Sequence, residues 1–427
     1  MKKLIMMLAA LIALASCSQT EPPEPPVPDT PDPVVPEAKI TPRQVQRAFR
    51  DAWREFYPET RSAYPPLIKS CVAYDKDFNP VTRSYNEPMF YVINLENDSG
   101  FAIMAATPSH PEVLAISNEG NLGVEYPADA RIGLFMARLS DYVIANPDTI
   151  IEYPDTFAPY PGQIYTSTSP WSTTEDIPAL CQVNWGETNP FNQFVPTQDF
   201  YQPPTGSDAV AIAQAFSVFG QPTSLGGYTF DWPTMVAATP SDNNAIQQIA
   251  RLLQQINALG NFTYQASPCP TYADIDGLLD VMSAAGYDNA KGKLESGNLY
   301  SYMASTVRSE LQASRPVIVR GRPILSPGQS AKWDHFHGWL VHGLKARQRV
   351  IQTRQGTEDG GYKILSQRTE KQDYVLINWG NFGSSNGYFL SNAYDINFGQ
   401  TLPAGGETPD PSYPNNISMI TNIYPTR

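Results

Sequence analysis

Residues 203–222, PPTGSDAVAIAQAFSVFGQP, decide the fold of this chain. Their apolar side chains recur at the spacing of one helix face, and Gly-Gln-Pro ends the run. Alanines on the other face let neighbouring backbone approach closely, as in a helix packed on all sides. The stretch predicts a buried central helix with a polar start at Gly206, Ser207 and Asp208.

A helix start that points into a cleft presents unpaired N–H groups and the positive end of the helix dipole, which favour an anion or an oxyanion. The pattern Thr-Gly, a nucleophile position, then alternating alanines and Gln resembles the active-site helix of the streptopain-like cysteine peptidases, which have the papain-like fold. In that family the residue after the glycine is the catalytic cysteine. Here it is Ser207.

Two more segments resemble the same family. Residues 184–192, NWGETNPFN, are similar to the segment that carries the glutamine of the oxyanion hole, and that position is Glu187. Residues 337–343, HGWLVHG, are similar to the strand that supplies the catalytic histidine, and that position is His337.

Residues 374–380, YVLINWG, resemble the start of the family signature Asn-Trp-Gly-Trp-Gly-Gly. The resemblance implies that Asn378 orients His337, with Trp379 beside it. Trp379 before a glycine is equally a packing device at a strand end. Asn381 and Phe382 stand where the signature has its second tryptophan and the next glycine. Residues 345–372 make a longer connection than the tight hairpin that is usual in the family.

The residue changes bear directly on the chemistry. A thiol beside a histidine and a helix start ionises at ordinary pH, whereas a serine hydroxyl needs a base and a strong oxyanion hole. Glu187 would replace an amide donor, and losing one such donor costs about 100- to 1,000-fold in rate. Asp208 would add a second negative charge near the nucleophile. The structural alternative is that Ser207 caps the helix and Asp208 pairs with the dipole.

His335, His337 and His342 raise a metal hypothesis, because residues two apart on a strand share a face. The five-residue step to His342 puts that side chain on the opposite face, and His342 falls on a family Asp position. The pattern therefore predicts no metal site, and no motif indicates a cofactor.

The N-terminus predicts an exported lipoprotein. Residues 1–17 have a basic start, a short apolar run and the ending Leu-Ala-Ser-Cys, which resembles a lipobox with Cys17 as the lipidated residue. Residues 18–38 are a Pro-rich linker. We expect anchoring in the bacterial cell envelope, at the outer membrane or cell surface, with membrane contact through lipidated Cys17 only.

Residues 39–148 predict an independent α+β domain with an amphipathic helix after Thr41 and a β-hairpin across residues 89–106. This part resembles the streptopain pro-domain, which implies an inhibitor-like partner for the peptidase domain. We expect a linker over residues 149–176 and the peptidase domain over residues 177–427. The predicted class is α+β, with the papain-like arrangement of a helical part and an antiparallel sheet.

The charge of the chain indicates which classes of partner it binds. The formal net charge is −13 and basic clusters are scarce, which argues against nucleic acid and favours a peptide or protein ligand. Cys71, Cys181 and Cys269 form an odd set in an exported chain, so at least one thiol is free and the pairing of the others stays open.

Three functions follow from these residues. The first is a degenerate peptidase that binds peptide or protein without efficient cleavage. The second is an active peptidase with Ser207 as nucleophile, His337 as base and Asn378 as orienting residue. The third is a structural or adhesive surface lipoprotein without a working cleft.

Overall fold

The computed structural model describes residues 41–58, 67–76, 78–81, 88–106, 112–122, 135–136, 139, 142–143, 159–198, 200–239, 241–264, 271–294, 296, 301–321, 337–394 and 417–426. The predicted signal peptide, Cys17, the Pro-rich linker, His335 and Cys269 lie outside these residues. Residues 38–427 form one compact unit. Within the described ranges, no helix has both the length and the apolar character needed to cross a membrane.

Six α-helices have described bounds, and the fourth of them is the longest. They are α1 (Pro42–Phe56), α2 (Ser207–Phe219), α3 (Trp232–Val236), α4 (Asn243–Leu259), α5 (Ile275–Ala284) and α6 (Ala304–Gln312). α1 begins as its sequence predicts: Thr41 and Gln44 form a reciprocal capping box, and Pro42 occupies the first turn.

Thirteen strands are described. They are β1 (Ile68–Tyr74), β2 (Phe90–Leu95), β3 (Phe101–Ala105), β4 (Glu112–Ser117), β5 (Ile164–Thr168), β6 (Ser172–Ile177), β7 (Ser224–Leu225), β8 (Tyr228–Thr229), β9 (Val317–Gly321), β10 (His337–Gly356), β11 (Tyr362–Asn378), β12 (Gly387–Leu390) and β13 (Ile417–Ile420). The main sheet has the order β1-β2-β3-β4-β12-β11-β10-β9-β13, with β5 and β6 paired to β10. Every pair in it is antiparallel.

Two apolar cores lie on opposite faces of this sheet. Along β10, Leu340 belongs to the core that surrounds α2, whereas Trp339 and Val341 belong to the core that contains α1 and α6. This alternation follows from the two-residue period of a strand. The helix predicted from residues 203–222 is therefore buried as expected, against the sheet and α4.

In the described residues, the apolar core of the predicted pro-domain is continuous with one core of the peptidase region. Its last strand, β4, pairs with β12 through Ile116 and Ala115, so its sheet continues into the peptidase sheet. Its helix packs across the same junction, where the Phe56 ring meets the Tyr374 ring edge-on at 4.8 Å. The expected helix and hairpin are present, and the apolar faces of the two regions cover each other.

The segment predicted as a linker, residues 149–176, contains structure in its described part. β5 and β6 pair with the outer and middle parts of β10. The longer connection predicted over residues 345–372 is a continuation of the antiparallel pairing of β10 with β11. We refer to β5 together with residues 350–356 and 362–369 as the ribbon.

Candidate active site

Ser207 is the first residue of α2, and Gly206 is the N-cap. Gly206 has φ 94°, a backbone conformation that favours glycine, and a Cβ on it would lie 2.7 Å from the carbonyl oxygen of Thr271. Both the backbone conformation and the lack of space therefore require glycine here. The interpretation of Ser207 as the helix cap is wrong, because no side chain caps this helix. Its hydroxyl instead sits where the helix N–H groups and dipole are concentrated.

Ser207 and His337 are brought together by a backbone contact. The N–H of Gly338 donates to Ser207 Oγ at 3.1 Å, so the hydroxyl lies beside the peptide that follows His337. The close approach needs a glycine, since a Cβ on Gly338 would lie 2.4 Å from Asp208 Oδ1. Ser207 is 4% exposed, and His337 at the start of β10 is half-buried.

Asp208 does not present an uncompensated charge to this site. Its carboxylate accepts two hydrogen bonds from Arg320 of β9, at 2.8 and 2.9 Å, and both side chains are buried. Arg320 also donates to the carbonyl of Ala273 at 2.9 Å. The expectation that Asp208 repels a developing oxyanion is therefore wrong, because the guanidinium offsets its charge.

The side chain of Asn378 is hydrogen-bonded to groups of α2, of the residues just after β11 and of the segment before α2. Its oxygen accepts from Gln214 Nε2 and from the N–H of Gly380, both at 3.0 Å, and its nitrogen donates to the carbonyl of Val183 at 2.8 Å. Gln214 lies about two turns along α2 from Ser207. The structure thus corrects the role predicted for Asn378: its carboxamide joins α2, β11 and residues 183–184 instead of orienting His337.

Glu187 lies on the segment next to the nucleophile position. Its carbonyl accepts the N–H of Thr205 at 2.8 Å, which ties it to the approach to α2. The ring of Phe382 covers Gly186, the residue before Glu187, since a Cβ on Gly186 would lie 2.3 Å from that ring. Phe382 also stacks on Phe191 at 5.8 Å. The residues that depart from the family signature thus lie against the oxyanion segment.

Trp379 is fully buried and serves packing. Its indole N–H donates to the carbonyl of Ser385 at 3.0 Å, and its ring meets Phe389 edge-on at 5.1 Å and Trp339 at 5.4 Å. The backbone N–H of Trp379 donates to Asn386 Oδ1 at 3.0 Å. These contacts agree with the packing interpretation of the Trp-Gly pair.

His342 is buried, and burial lowers its pKa to about 4. Its Nδ1 accepts the N–H of Cys181 at 3.3 Å, so the neutral ring carries its proton on Nε2. His342 lines a cavity of about 770 Å³ between the two regions, together with Tyr57 and Lys345. Within the described part of the chain, no cluster of His, Cys, Asp and Glu could hold a metal ion.

The two described cysteines outside the predicted lipobox are Cys71 and Cys181, and both are free thiols. Burial raises the pKa of Cys71 to about 11 and also raises the pKa of Cys181. A thiol with a raised pKa is a poor nucleophile at neutral pH, because little of it is thiolate.

Arg320, Gln214 and Gly338 contribute to the site, and the sequence analysis assigned no role to them. Arg320 had a visible signal, since it ends the apolar strand sequence Val-Ile-Val and an arginine there needs a partner. Gln214 is a polar residue within an apolar helix, a weaker signal of the same kind. No local pattern identifies Gly338.

Two family models match regions of this chain. Residues 185–389 match the model of the Peptidase C10 family, and residues 74–137 match the model described as Spi protease inhibitor. No curated protein matches the chain.

Two solved structures are similar to it. A mutant fragment of Prevotella intermedia prointerpain A is 17% identical with a TM-score of 0.51, and the match covers 84% of this chain and 100% of that one. Active wild-type interpain A cysteine protease from Prevotella intermedia is 20% identical with a TM-score of 0.40, covering 59% of this chain and 96% of that one. The first likeness confirms the predicted α+β fold with an N-terminal pro-domain.

The peptidase and inhibitor matches occur in the order predicted from the motifs, and the matched residues include Ser207, His337 and Asn378. The chain belongs to the Peptidase C10 family, the streptopain-like peptidases, and carries the inhibitor-type pro-domain of that family.

Proposed function

We propose that this protein is a streptopain-like peptidase whose centre has lost efficient catalysis and whose cleft binds peptide or protein segments. The observation that carries the proposal is the Ser207 hydroxyl at the first position of α2. A thiolate formed there would attack directly, whereas a hydroxyl stays protonated and must lose its proton during attack. The change removes the activated nucleophile on which the chemistry of the family depends.

Two neighbours support the same conclusion. Glu187 brings a carboxylate to the segment expected to donate an amide N–H to the oxyanion. Asn378 has its carboxamide committed to Gln214, Gly380 and Val183. Glu187 offers a carboxylate where the family has an amide donor, and the Asn378 carboxamide is already hydrogen-bonded to other groups.

Restoration of the family residues tests the proposal. Purified protein with Ser207→Cys and Glu187→Gln should hydrolyse casein at least about 100-fold faster than the unmodified chain, given the value of one oxyanion donor and an ionised thiol. The matched control is Ser207→Ala with Glu187→Gln, which should stay inactive. Casein hydrolysis by the unmodified chain that disappears in Ser207→Ala would overturn the proposal.

Peptide binding is measured separately from cleavage. Fluorescent casein peptides should bind the unmodified chain and Ser207→Ala with similar affinity, because binding uses the cleft and not the hydroxyl. No binding by either protein would favour the structural or adhesive alternative.

One observation favours an active serine peptidase as the second candidate. Gly338 donates its N–H to Ser207 Oγ at the positive end of α2, an arrangement that stabilises negative charge on that oxygen. This candidate predicts that a fluorophosphonate labels Ser207 in the unmodified chain but labels nothing in Ser207→Ala. Lack of labelling would exclude it.

We also propose that the chain is lipid-anchored in the cell envelope through Cys17. The supporting observation is the basic start, short apolar run and Leu-Ala-Ser-Cys ending of residues 1–17. Cells fed an alkyne fatty acid should yield labelled protein in the membrane fraction, and Cys17→Ala should abolish both the label and the membrane association.

A further inference from the structure

The connecting segment, residues 159–177, is held along β10 almost continuously. Thr168 to Ile164 pair with residues 351–355, and Ile177 to Ser172 pair with residues 344–348. Between the two strands, the N–H of Ser169 donates to the carbonyl of Val350 at 2.8 Å. The outer pairing exists because β10 and β11 extend through the additional residues of the hairpin.

Arg347 of β10 joins the three parts of the chain at one point. Its guanidinium contacts Glu55 of the pro-domain helix at 3.1 Å and lies over the Trp171 ring of the connecting segment at 4.5 Å. On β11 it donates to Gln372 at 2.9 and 3.0 Å and to Tyr374 Oη at 2.7 Å. The side chain is 3% exposed, so these contacts are shielded from water.

Flanking ion pairs hold the same segment. Lys345 Nζ lies 2.5 Å from Asp176 Oδ2, and its own side chain is 3% exposed. Arg308 of α6 bonds to Glu175 and also to Asp373 of β11, the latter at 3.0 Å. The Lys345–Asp176 pair links β6 to β10 and the Arg308–Glu175 pair links β6 to α6, so opening of the segment breaks several contacts together.

We propose that Arg347 and the ribbon form an internal latch that keeps residues 162–177 in the sheet and α1 in place, and so protects this stretch from processing proteases. A protease binds its substrate as a free extended strand, so cleavage here first requires local unfolding. The cleavage rate then follows the population of the opened state. The latch makes that population small.

This inference goes beyond the proposed function and does not depend on it. The latch acts against an external protease whether or not Ser207 is catalytic. Its test is therefore carried out in full chains that all carry Ser207→Ala, so that cleavage by the protein itself cannot contribute.

The test combines limited proteolysis by subtilisin with hydrogen exchange read by mass spectrometry. Arg347→Met keeps most of the side-chain volume but removes the charge-assisted hydrogen bonds. We expect cleavage within residues 162–177, and exchange in that segment and α1, to rise on the order of tenfold to a hundredfold. The matched control is Arg251→Met, because Arg251 of α4 stacks on Phe194 at 3.4 Å and neither residue belongs to the latch.

A second pair of variants avoids dependence on one buried arginine. Trp171→Ala removes the ring under Arg347 at a half-buried turn. Thr166→Pro with Ser167→Pro removes at least one N–H that pairs with β10, because alternate residues of a strand face one edge. Both should increase cleavage in the segment, with the proline variant acting mainly on β5.

Two results would overturn the proposal. One is rapid cleavage between residues 162 and 177 in the chain without latch substitutions. The other is equal protection in Arg347→Met, Trp171→Ala and the control.

Discussion

Asp208 and Arg320 form a two-point ion pair inside the protein, with donor–acceptor distances of 2.8 and 2.9 Å, one residue along the chain from Ser207. Arg320 lies on β9 and Asp208 lies in the first turn of α2, so the pair fixes the start of the central helix against the sheet. Because Arg320 offsets the charge of Asp208, Glu187 is the acidic residue whose effect on oxyanion stabilisation should be tested.

Removal of one partner of that pair should be costly. Arg320→Met leaves the Asp208 carboxylate buried without its main counter-charge, and we expect the free energy of unfolding to fall by about 3–5 kcal/mol. Asp208→Leu with Arg320→Met should regain most of the loss, because apolar groups then replace both charges. Urea unfolding measures both variants, and a mild single variant, or a double variant no better than the single, would contradict the argument.

His342 gives the protein a predictable acid sensitivity. Its pKa is about 4 in the fold against an ordinary value of 6.5, so the unfolded chain binds more protons between these values. Stability is therefore full above about pH 6.5 and falls with pH down to about 4, by on the order of 3 kcal/mol. His342→Gln should flatten this part of the stability curve, and an unchanged slope would show that other groups cause it.

Gly338→Ala should disturb the site directly. The added methyl group would lie 2.4 Å from Asp208 Oδ1, so either the strand or the ion pair must move. Overpacking of this kind costs about 1–3 kcal/mol, and we expect that loss in urea unfolding. Gly361→Ala is the control, because its Cβ would first meet the Thr357 hydroxyl at 3.2 Å, next to the exposed turn of residues 358–360. Equal stability of the two variants would refute the close approach at Gly338.

Asn378→Ala should lower stability without altering the titration of the residues that act in the restored variant. The change leaves Gln214 and the N–H of Gly380 without their acceptor, at a cost of about 2–4 kcal/mol. In the variant with Ser207→Cys and Glu187→Gln, the pH–rate profile should keep its midpoints after Asn378→Ala, since those report the acid and base groups. A displaced midpoint would mean that Asn378 orients His337 after all.

Much of the fold could be predicted because it depends on local signals. The apolar spacing of residues 203–222 predicted α2, and the Thr-Pro start predicted α1. The apolar runs on either side of the turn at residues 97–100 predicted the β2–β3 hairpin. Capping, periodicity and turn chemistry act within a few residues. The order of motifs then indicated the family.

Other features could not be predicted, because they depend on partners far away in the chain. Residues 172–177 read as a polar linker, since β6 is largely exposed and lacks a clear apolar alternation. Its strand character comes from β10, which supplies the hydrogen bonds. The same reason applies to the sheet that joins β4 to β12.

The sequence alone determined which residues occupy the family positions: Ser207 in place of the thiol, Glu187 in place of the amide, and a longer β10–β11 hairpin. The contacts around these residues follow from the tertiary structure. Arg320 offsets the charge of Asp208, and Gln214 donates a hydrogen bond to the carboxamide oxygen of Asn378. The hairpin pairs with the connecting segment and holds it in the sheet. The physical reason is that charge compensation and backbone pairing depend on distance in space, which separation along the chain does not specify.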